Sequence, residues 1–239
     1  MKLEINHGRI VGIEDQILNP ILPTSELSYV NDKNWYKEIR NYIKNDHPNL
    51  ENKLTFEDEV MKGSNTHLAV AVDMFQKKYH PEYRLATQLD LEKDLDFTKG
   101  TRNDSGLALR NLTGGNKEEA KYLFEQLKQR GIKETDFPLW IQLRGLELDN
   151  NLNFNLTDES FYKTSECLNW NNGTRFSKRD DFGLPKEKDD KSTRQIWLDK
   201  YFPLSRFCLS RVLDLYSWSG NLSGSIDYGR VVLAKVQST

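Results

Sequence analysis

The sequence predicts an α+β protein, and three observations carry the prediction. Apolar residues recur at helical spacing through much of the first 131 positions. From about Asn150, short apolar or β-branched runs alternate with Asn, Asp, Gly and Ser clusters, the texture of strands and loops. The 239 residues include 37% hydrophobic and 11% aromatic side chains, enough for a sizeable core, while 29% charged residues and a mean hydropathy of -0.73 solvate the surface. Length alone allows one or two domains. The first hundred residues read as a mixed N-terminal region, 1–100, and the remainder, 101–239, as a second region that passes from helix to strand and loop.

Turn signals at Asn19-Pro20 and Leu22-Pro23 come first. Asn34 to Asn45 places Trp35, Ile39, Tyr42 and Ile43 at helical spacing, and His47-Pro48 ends the helix because proline cannot continue it. Thr55, with Asp58 three residues on, caps a turn. A second helix, Thr66 to Tyr79, carries Leu68, Val72 and Phe75 and stops at His80-Pro81. Leu85 to Asp96 alternates apolar and acidic residues and fits strand and helix equally. The clearest helix opens at Asn116 with Glu119 as a capping box, carries Ala120, Leu123, Phe124 and Leu127, and closes on Lys128-Gln129-Arg130-Gly131. Phe137 to Leu143, with Pro138 near a first helical turn, reads as a short helix packed on it. Strands are expected at Phe161 to Leu168, Thr174 to Ser177, Thr193 to Leu198, Arg206 to Tyr216 and Gly229 to Lys235, with a charged loop from Asp180 to Lys191.

Charge and composition exclude several function classes. A net charge of -2 and a pI near 6.1 lack the basic field that grips a phosphate backbone, so no nucleic-acid partner is expected. No apolar run approaches the roughly 20 residues of a bilayer span, and the start, Met1 to His7, lacks a signal-peptide core. The chain is expected to be soluble when made, with its compartment open between cytoplasm and a particle or cell surface. Cys167 and Cys208 are too few for a disulfide framework or an all-cysteine zinc site.

Motifs that suggest chemistry fail on their frames. Asp181-Phe182-Gly183 mimics the kinase metal-binding triplet, but no His-Arg-Asp loop or glycine-rich loop accompanies it. Gly114-Gly115-Asn116-Lys117 lacks the spacing and hydroxyl of a phosphate loop. Asp149, Asn151 and Asn153 begin like a calcium loop, yet Phe154 and Ser160 stand where glycine and glutamate are needed. His7, His47, His67 and His80 form no ligand pair. Asn-x-Ser/Thr sites at Asn111, Asn155, Asn172 and Asn221 matter only in a secretory route. No Gly-x-Ser-x-Gly elbow occurs, and the sequence implies no cofactor, metal or catalytic residue.

The segment Leu204 to Val232 is different. Phe207, Leu209, Leu213 and Leu215 serve as apolar anchors. The expected outward or loop positions are Cys208, Ser210, Arg211, Val212, Asp214, Tyr216, Ser219, Gly220, Asn221, Ser223, Gly224, Ile226, Asp227 and Tyr228. Tyr supplies contact area at low entropic cost, and the small polar residues adapt, as in evolved binding loops. Lys, Glu, Gln and Met make up roughly one residue in five of the chain, yet none lies between Lys200 and Lys235. Something other than surface solubility shaped this segment; the alternative is a well-packed terminal sheet, since strand propensity depletes Lys and Glu as well.

From Gly114 to Leu233 the chain resembles variable proteins of diversity-generating retroelements, which take a C-type-lectin-like fold akin to the formylglycine-generating enzyme. The resemblance rests on the Asn116 to Gly131 helix, Phe137-Pro138-Leu139-Trp140, Leu168-Asn169-Trp170, and the run from Ser217-Trp218 to Gly229-Arg230-Val231-Val232. In that family template adenines are miscopied, so Asn codons become NNY codons, which never encode Lys, Glu, Gln, Met or Trp. The resemblance therefore implies that the fourteen outward positions are interchangeable. It places Phe207, Leu209, Leu213, Leu215, Ser217, Trp218, Leu222, Ser225, Gly229 and Arg230 in a constant framework.

The function it implies is a display protein whose diversified surface, about 204–232, recognises a protein or other macromolecular ligand, with Tyr216, Tyr228 and Arg211 as anchors and Asp214 and Asp227 tuning charge. Calcium-dependent sugar binding is not implied, because the Glu-Pro-Asn type of motif is missing and Trp170-Asn171-Asn172 only approximates the other signature. Two alternatives are a formylglycine-generating type of enzyme, needing Cys167 and Cys208 as a copper pair, and a structural assembly module.

Overall fold

The structure, a computed structural model, describes residues 26–236. The turn signals at Asn19-Pro20 and Leu22-Pro23, and His7, lie outside the described residues. Strand β1 (Leu27–Tyr29) leads into α1 (Lys33–Asp46), which starts where Asp32 accepts from the backbone N–H groups of Asn34 and Trp35. Tyr36, Ile39 and Ile43 are its buried face, and Pro48 follows its end. Strands β2 (Thr55–Glu57) and β3 (Val60–Lys62) form a hairpin through Asp58 and Glu59, both at positive φ. Helix α2 (Thr66–Tyr79) is capped by Asn65, whose side chain accepts from Leu68 N–H.

After β4 (Tyr83–Leu85), the stretch that fitted strand and helix equally folds as two short helices, α3 (Gln88–Lys93) and α4 (Leu95–Thr98). Its acidic residues are capping groups: Asp90 closes a box with Thr87, and Asp94 accepts from Phe97 N–H. Then come β5 (Asn103–Leu109), α5 (Lys117–Gln129), β6 (Leu139–Gln142), β7 (Leu146–Leu148), β8 (Phe154–Leu156) and β9 (Tyr162–Thr164). The order ends with β10 (Thr174–Arg179), β11 (Pro185–Lys188), β12 (Gln195–Leu198), β13 (Leu204–Leu209), β14 (Leu215–Ser217) and β15 (Val232–Lys235).

The architecture is α+β. Eight strands form one sheet in the order β11-β10-β12-β14-β13-β5-β6-β9, with β12 and β14 its parallel pair. A smaller sheet, β1-β15-β4, ties the last described strand to the first. Two apolar clusters cover opposite faces of the large sheet. Leu107, Leu109, Leu139, Ile141 and Leu204 join α1, α2 and α5 on one side, while Ala108, Trp140, Phe207 and Leu209 join Phe176, Ile196 and Leu215 on the other. Both clusters cross residue 100: Ile39 and Leu68 pack with Leu233, and Leu91 packs in the cluster of Phe207. Among the described residues no helix is long and apolar enough to cross a membrane.

Four local expectations are corrected. The segment Phe137 to Leu143 is a strand, not a helix, because Leu139, Trp140 and Ile141 feed both buried faces of a sheet, and such a run shows no alternation. Asn116 precedes α5 without capping it; its carboxamide instead donates to Leu204 O at 2.7 Å and accepts from Leu204 N–H. The charged loop contains edge strand β11. Finally, Arg206 to Tyr216 is not one strand but a hairpin, β13 and β14 joined through Ser210 to Asp214.

Candidate functional site

The hairpin decides which of the proposed surface residues reach solvent. β13 is buried along its whole length because the sheet is covered on both faces, so Cys208 is fully enclosed rather than outward-facing. A register shift between Phe207 and Cys208 interrupts its pairing with β5, and Arg102 Nε donates to the Cys208 Sγ at 3.2 Å. Burial pushes that thiol up against the opposing charge of Arg102. Ser210 and Asp214 are also buried and belong to the turn itself: Ser210 N–H donates to Asp214 O at 2.8 Å. The Asp214 carboxylate accepts from Gln195 N–H and Trp197 Nε1 at 2.8 and 2.9 Å, so it is a structural acceptor, not a free charge. Leu213 adopts a φ of 68°, a left-handed conformation that costs an L-residue about 1 kcal/mol, and Arg194 Nε donates to its carbonyl at 2.7 Å.

The remaining positions separate into two groups. The first surrounds Tyr228. Arg211 lies over the Tyr228 ring at 5.2 Å, Arg102 N–H donates to Tyr228 O, and Tyr216 stacks on Trp197 with ring centroids 6.2 Å apart. Val212 is 63% exposed at the hairpin tip, and Asp227 is exposed beside Tyr228. Burial, and then the nearby Asp214 and Cys208, raise the Tyr216 phenol above its ordinary value.

The second group walls a cleft of about 340 Å³ between the 220–223 loop, α5 and the β7–β8 turn. Gly220, Asn221, Leu222 and Ser223 face His67, Glu119, Tyr122 and Asn153 across it. His67 stacks on Phe154 at 4.7 Å, and burial depresses its pKa to about 4 despite the carbonyls of Leu222 and Leu152. Ser219 and Gly224 contribute backbone carbonyls to Arg206, and the carbonyl of half-buried Ile226 accepts from Gly229 N–H. Gly220 is held against Phe202, where an added Cβ would lie 2.3 Å from the ring, so it belongs to the frame rather than to the interchangeable set.

One buried ion pair fixes the loop to the sheet. Arg206 on β13 bonds Asp104 on β5 through Nε and NH2 at 2.8 and 2.6 Å, and donates through NH1 to Gly224 O at 2.7 Å. Ser64 Oγ adds a bond to Asp104 at 2.9 Å, and Gly63 and Thr66 donate N–H groups to Gly229 O and Leu222 O. Burial alone would push Asp104 up, but the charge and bonds of Arg206 hold it below the usual carboxylate range. Residues 63–66 thus brace the loop that the C-terminal segment displays.

Arg102 and Trp197 belong to the first group although the sequence argument placed neither there. Arg102 precedes a buried strand with no local signal; its role comes from pairing with Gly229. Trp197 sits between buried Ile196 and Leu198 on β12, an alternation that could have marked it as facing the other way. Conversely, framework residue Trp218 is 46% exposed. Gly229 does belong to the frame: a Cβ there would meet Ser64 N at 2.8 Å. Two of the three rejected motifs are ordinary turns, with Asp180 accepting from Phe182 and Leu184 N–H and Asp149 from Asn151 and Asn153 N–H.

The cysteines do not fit a copper pair. Cys167 shares the cluster of Phe207 and Leu209, whereas Cys208, between those two residues on the strand, points to the other face of the sheet. Burial pushes the Cys167 thiol up to about 12. No protein family model, no curated protein and no solved structure matches this chain.

Proposed function

We propose that this chain is a non-enzymatic binding protein that presents the surface around Tyr216, Tyr228 and Arg211 to a macromolecular partner. The observation that carries the reading is the cluster itself: two tyrosines and an arginine, each at least partly exposed, on a hairpin and loop whose backbones are bolted down by Arg206, Asp104 and Arg194. Aromatic and arginine side chains on a rigid support lose little conformational entropy on binding, which is why they dominate interface energies. Helices α2 and α5 against short, mainly antiparallel strands support a C-type-lectin-like assignment.

We further propose that the surface is diversified by a retroelement. The absence of Lys, Glu, Gln and Met between Lys200 and Lys235 supports this. The burial of Cys208, Ser210 and Asp214 and the packing of Gly220 on Phe202 narrow the useful positions to Arg211, Val212, Tyr216, Ser219, Asn221, Ser223, Gly224, Ile226, Asp227 and Tyr228.

Two experiments test these claims. A library of the full chain randomised at Arg211, Tyr216, Asp227 and Tyr228 is expected to melt cooperatively and to yield binders to an arbitrary protein target. A library that unfolds, or one that gives no binder, overturns the display function. The flanking DNA is expected to hold a near-repeat of the Leu204 to Val232 coding region, differing at adenines, beside a reverse-transcriptase gene; its absence removes the retroelement claim.

A further inference from the structure

We propose that the face around Tyr228 docks an acidic polypeptide, a partner presenting clustered carboxylates, and that part of this preference resides in fixed residues. The inference rests on the reading of this face as a binding surface and specifies its partner. Three arginines belong to this face, Arg211 through its guanidinium and Arg102 and Arg230 through main chains tied to Tyr228 and to each other. Arg211 lies over the Tyr228 ring at 5.2 Å; Arg102 donates its backbone N–H to Tyr228 O at 3.0 Å; and Arg230 N–H donates to Arg102 O at 2.9 Å. The Arg230 side chain reaches only the carbonyls of Asp227 and Gly229, and the Arg102 side chain reaches Cys208. Among the described residues none of the three has a carboxylate within 4.0 Å, although twelve other basic side chains, His80, Arg206 and Arg194 among them, do.

The acids near this charge are committed elsewhere. Asp214 is turned inward to Gln195 and Trp197; Asp104, which acts on Arg102, is paired with Arg206; and Asp58, which acts on Arg230, is paired with Lys62, while Asp227 is exposed beside Tyr228. In a chain with a net charge of -2, such a gathering is local rather than a property of the whole surface. Guanidinium forks match carboxylates in a planar, two-bond geometry, and an aromatic floor strengthens them by excluding water. A nucleic acid would need a longer basic track to follow successive phosphates. Three arginines among Tyr216, Tyr228 and Trp197 instead match the composition of a protein interface. Arg102 and Arg230 lie outside the interchangeable positions, so a tilt toward acidic partners would persist when Arg211, Tyr216 and Tyr228 change.

The test is selection of a random-peptide display library on the full chain. The expected peptides are rich in Asp and Glu, and their affinity for the protein falls about tenfold or more in Arg102→Gln/Arg211→Gln. A cooperative melt of that variant, beside Arg211→Gln alone, which leaves the Arg102 bond to Cys208 in place, separates lost contact from lost fold. Neutral or basic peptides that are insensitive to these substitutions but lost in Tyr216→Ala/Tyr228→Ala would leave a binding face and overturn its acidic preference. Selection of no peptide overturns both readings. Displacement of the peptides by an oligothymidylate at lower concentration than by the free peptide overturns the choice of a polypeptide.

Discussion

Arg206 and Asp104 face each other between adjacent strands with two bonds of 2.8 and 2.6 Å, both side chains sealed from solvent. The third arm of the same guanidinium holds Gly224 O, so this pair decides whether the displayed loop shares the rigidity of the sheet. Removing one partner leaves a charge stranded in the interior. Asp104→Asn is expected to cost about 3–5 kcal/mol of unfolding free energy at neutral pH. Urea denaturation measures it, and a loss below about 1 kcal/mol would show that the pair is not a support. Because the folded-state pKa of Asp104 lies below its unfolded value, its contribution is present above the ordinary carboxylate range and disappears as the pH falls through the depressed value.

His67 gives the molecule a second acid sensitivity in a different window. Burial lowers its pKa from 6.5 to about 4, so the unfolded chain takes up a proton that the folded chain refuses. Stability from this site is present above pH 6.5 and is lost as the pH falls toward 4, by about 3 kcal/mol in total. His67→Gln should flatten this part of the stability profile. A profile that falls equally in parent and variant between those limits would assign the loss to carboxylates instead.

The conformation of the hairpin tip is expected to depend on a residue far from it in sequence. Glu92, buried on α3, accepts from Arg194 through NH1 and NH2 at 2.7 and 2.8 Å, and Arg194 in turn holds the carbonyl of left-handed Leu213. Glu92→Gln should speed amide exchange at Arg211 to Leu213 and lower stability by about 2–4 kcal/mol. Unchanged exchange at the tip would sever the proposed link.

A contrast between neighbours separates frame from surface. Gly229→Ala drives a Cβ toward Ser64 N, 2.8 Å away, and should cost about 1–3 kcal/mol. Asp227→Ala and Arg211→Ala, two and eighteen positions earlier on exposed sites, should each stay within about 0.5 kcal/mol of the parent. Thermal melts of the three variants decide the point, and equal losses would remove the distinction.

Much of the helical framework was legible because a single buried stripe suffices to declare a helix. Thr66 to Tyr79 has the observed limits of α2, and Ala120, Leu123, Phe124 and Leu127 are the buried face of α5. The strands were harder. Leu139-Trp140-Ile141 serves two cores at once, so its period vanished, and Asn116 had a cap's identity but spent its carboxamide on β13. At the proposed surface, Arg211, Tyr216, Asp227 and Tyr228 reach at least partial exposure as composition suggested, whereas Cys208, Ser210 and Asp214 do not.

What the sequence determined by itself was the inventory: which segments could become helices, which residues could bury, and a C-terminal stretch without Lys, Glu, Gln or Met. Which of those side chains meet solvent was decided only by tertiary structure. The reason is that burial is a property of neighbours, and the neighbours of Cys208, Asp214 and Tyr228 are Arg102, Trp197 and Arg211, two of them reached only when separate strands pair.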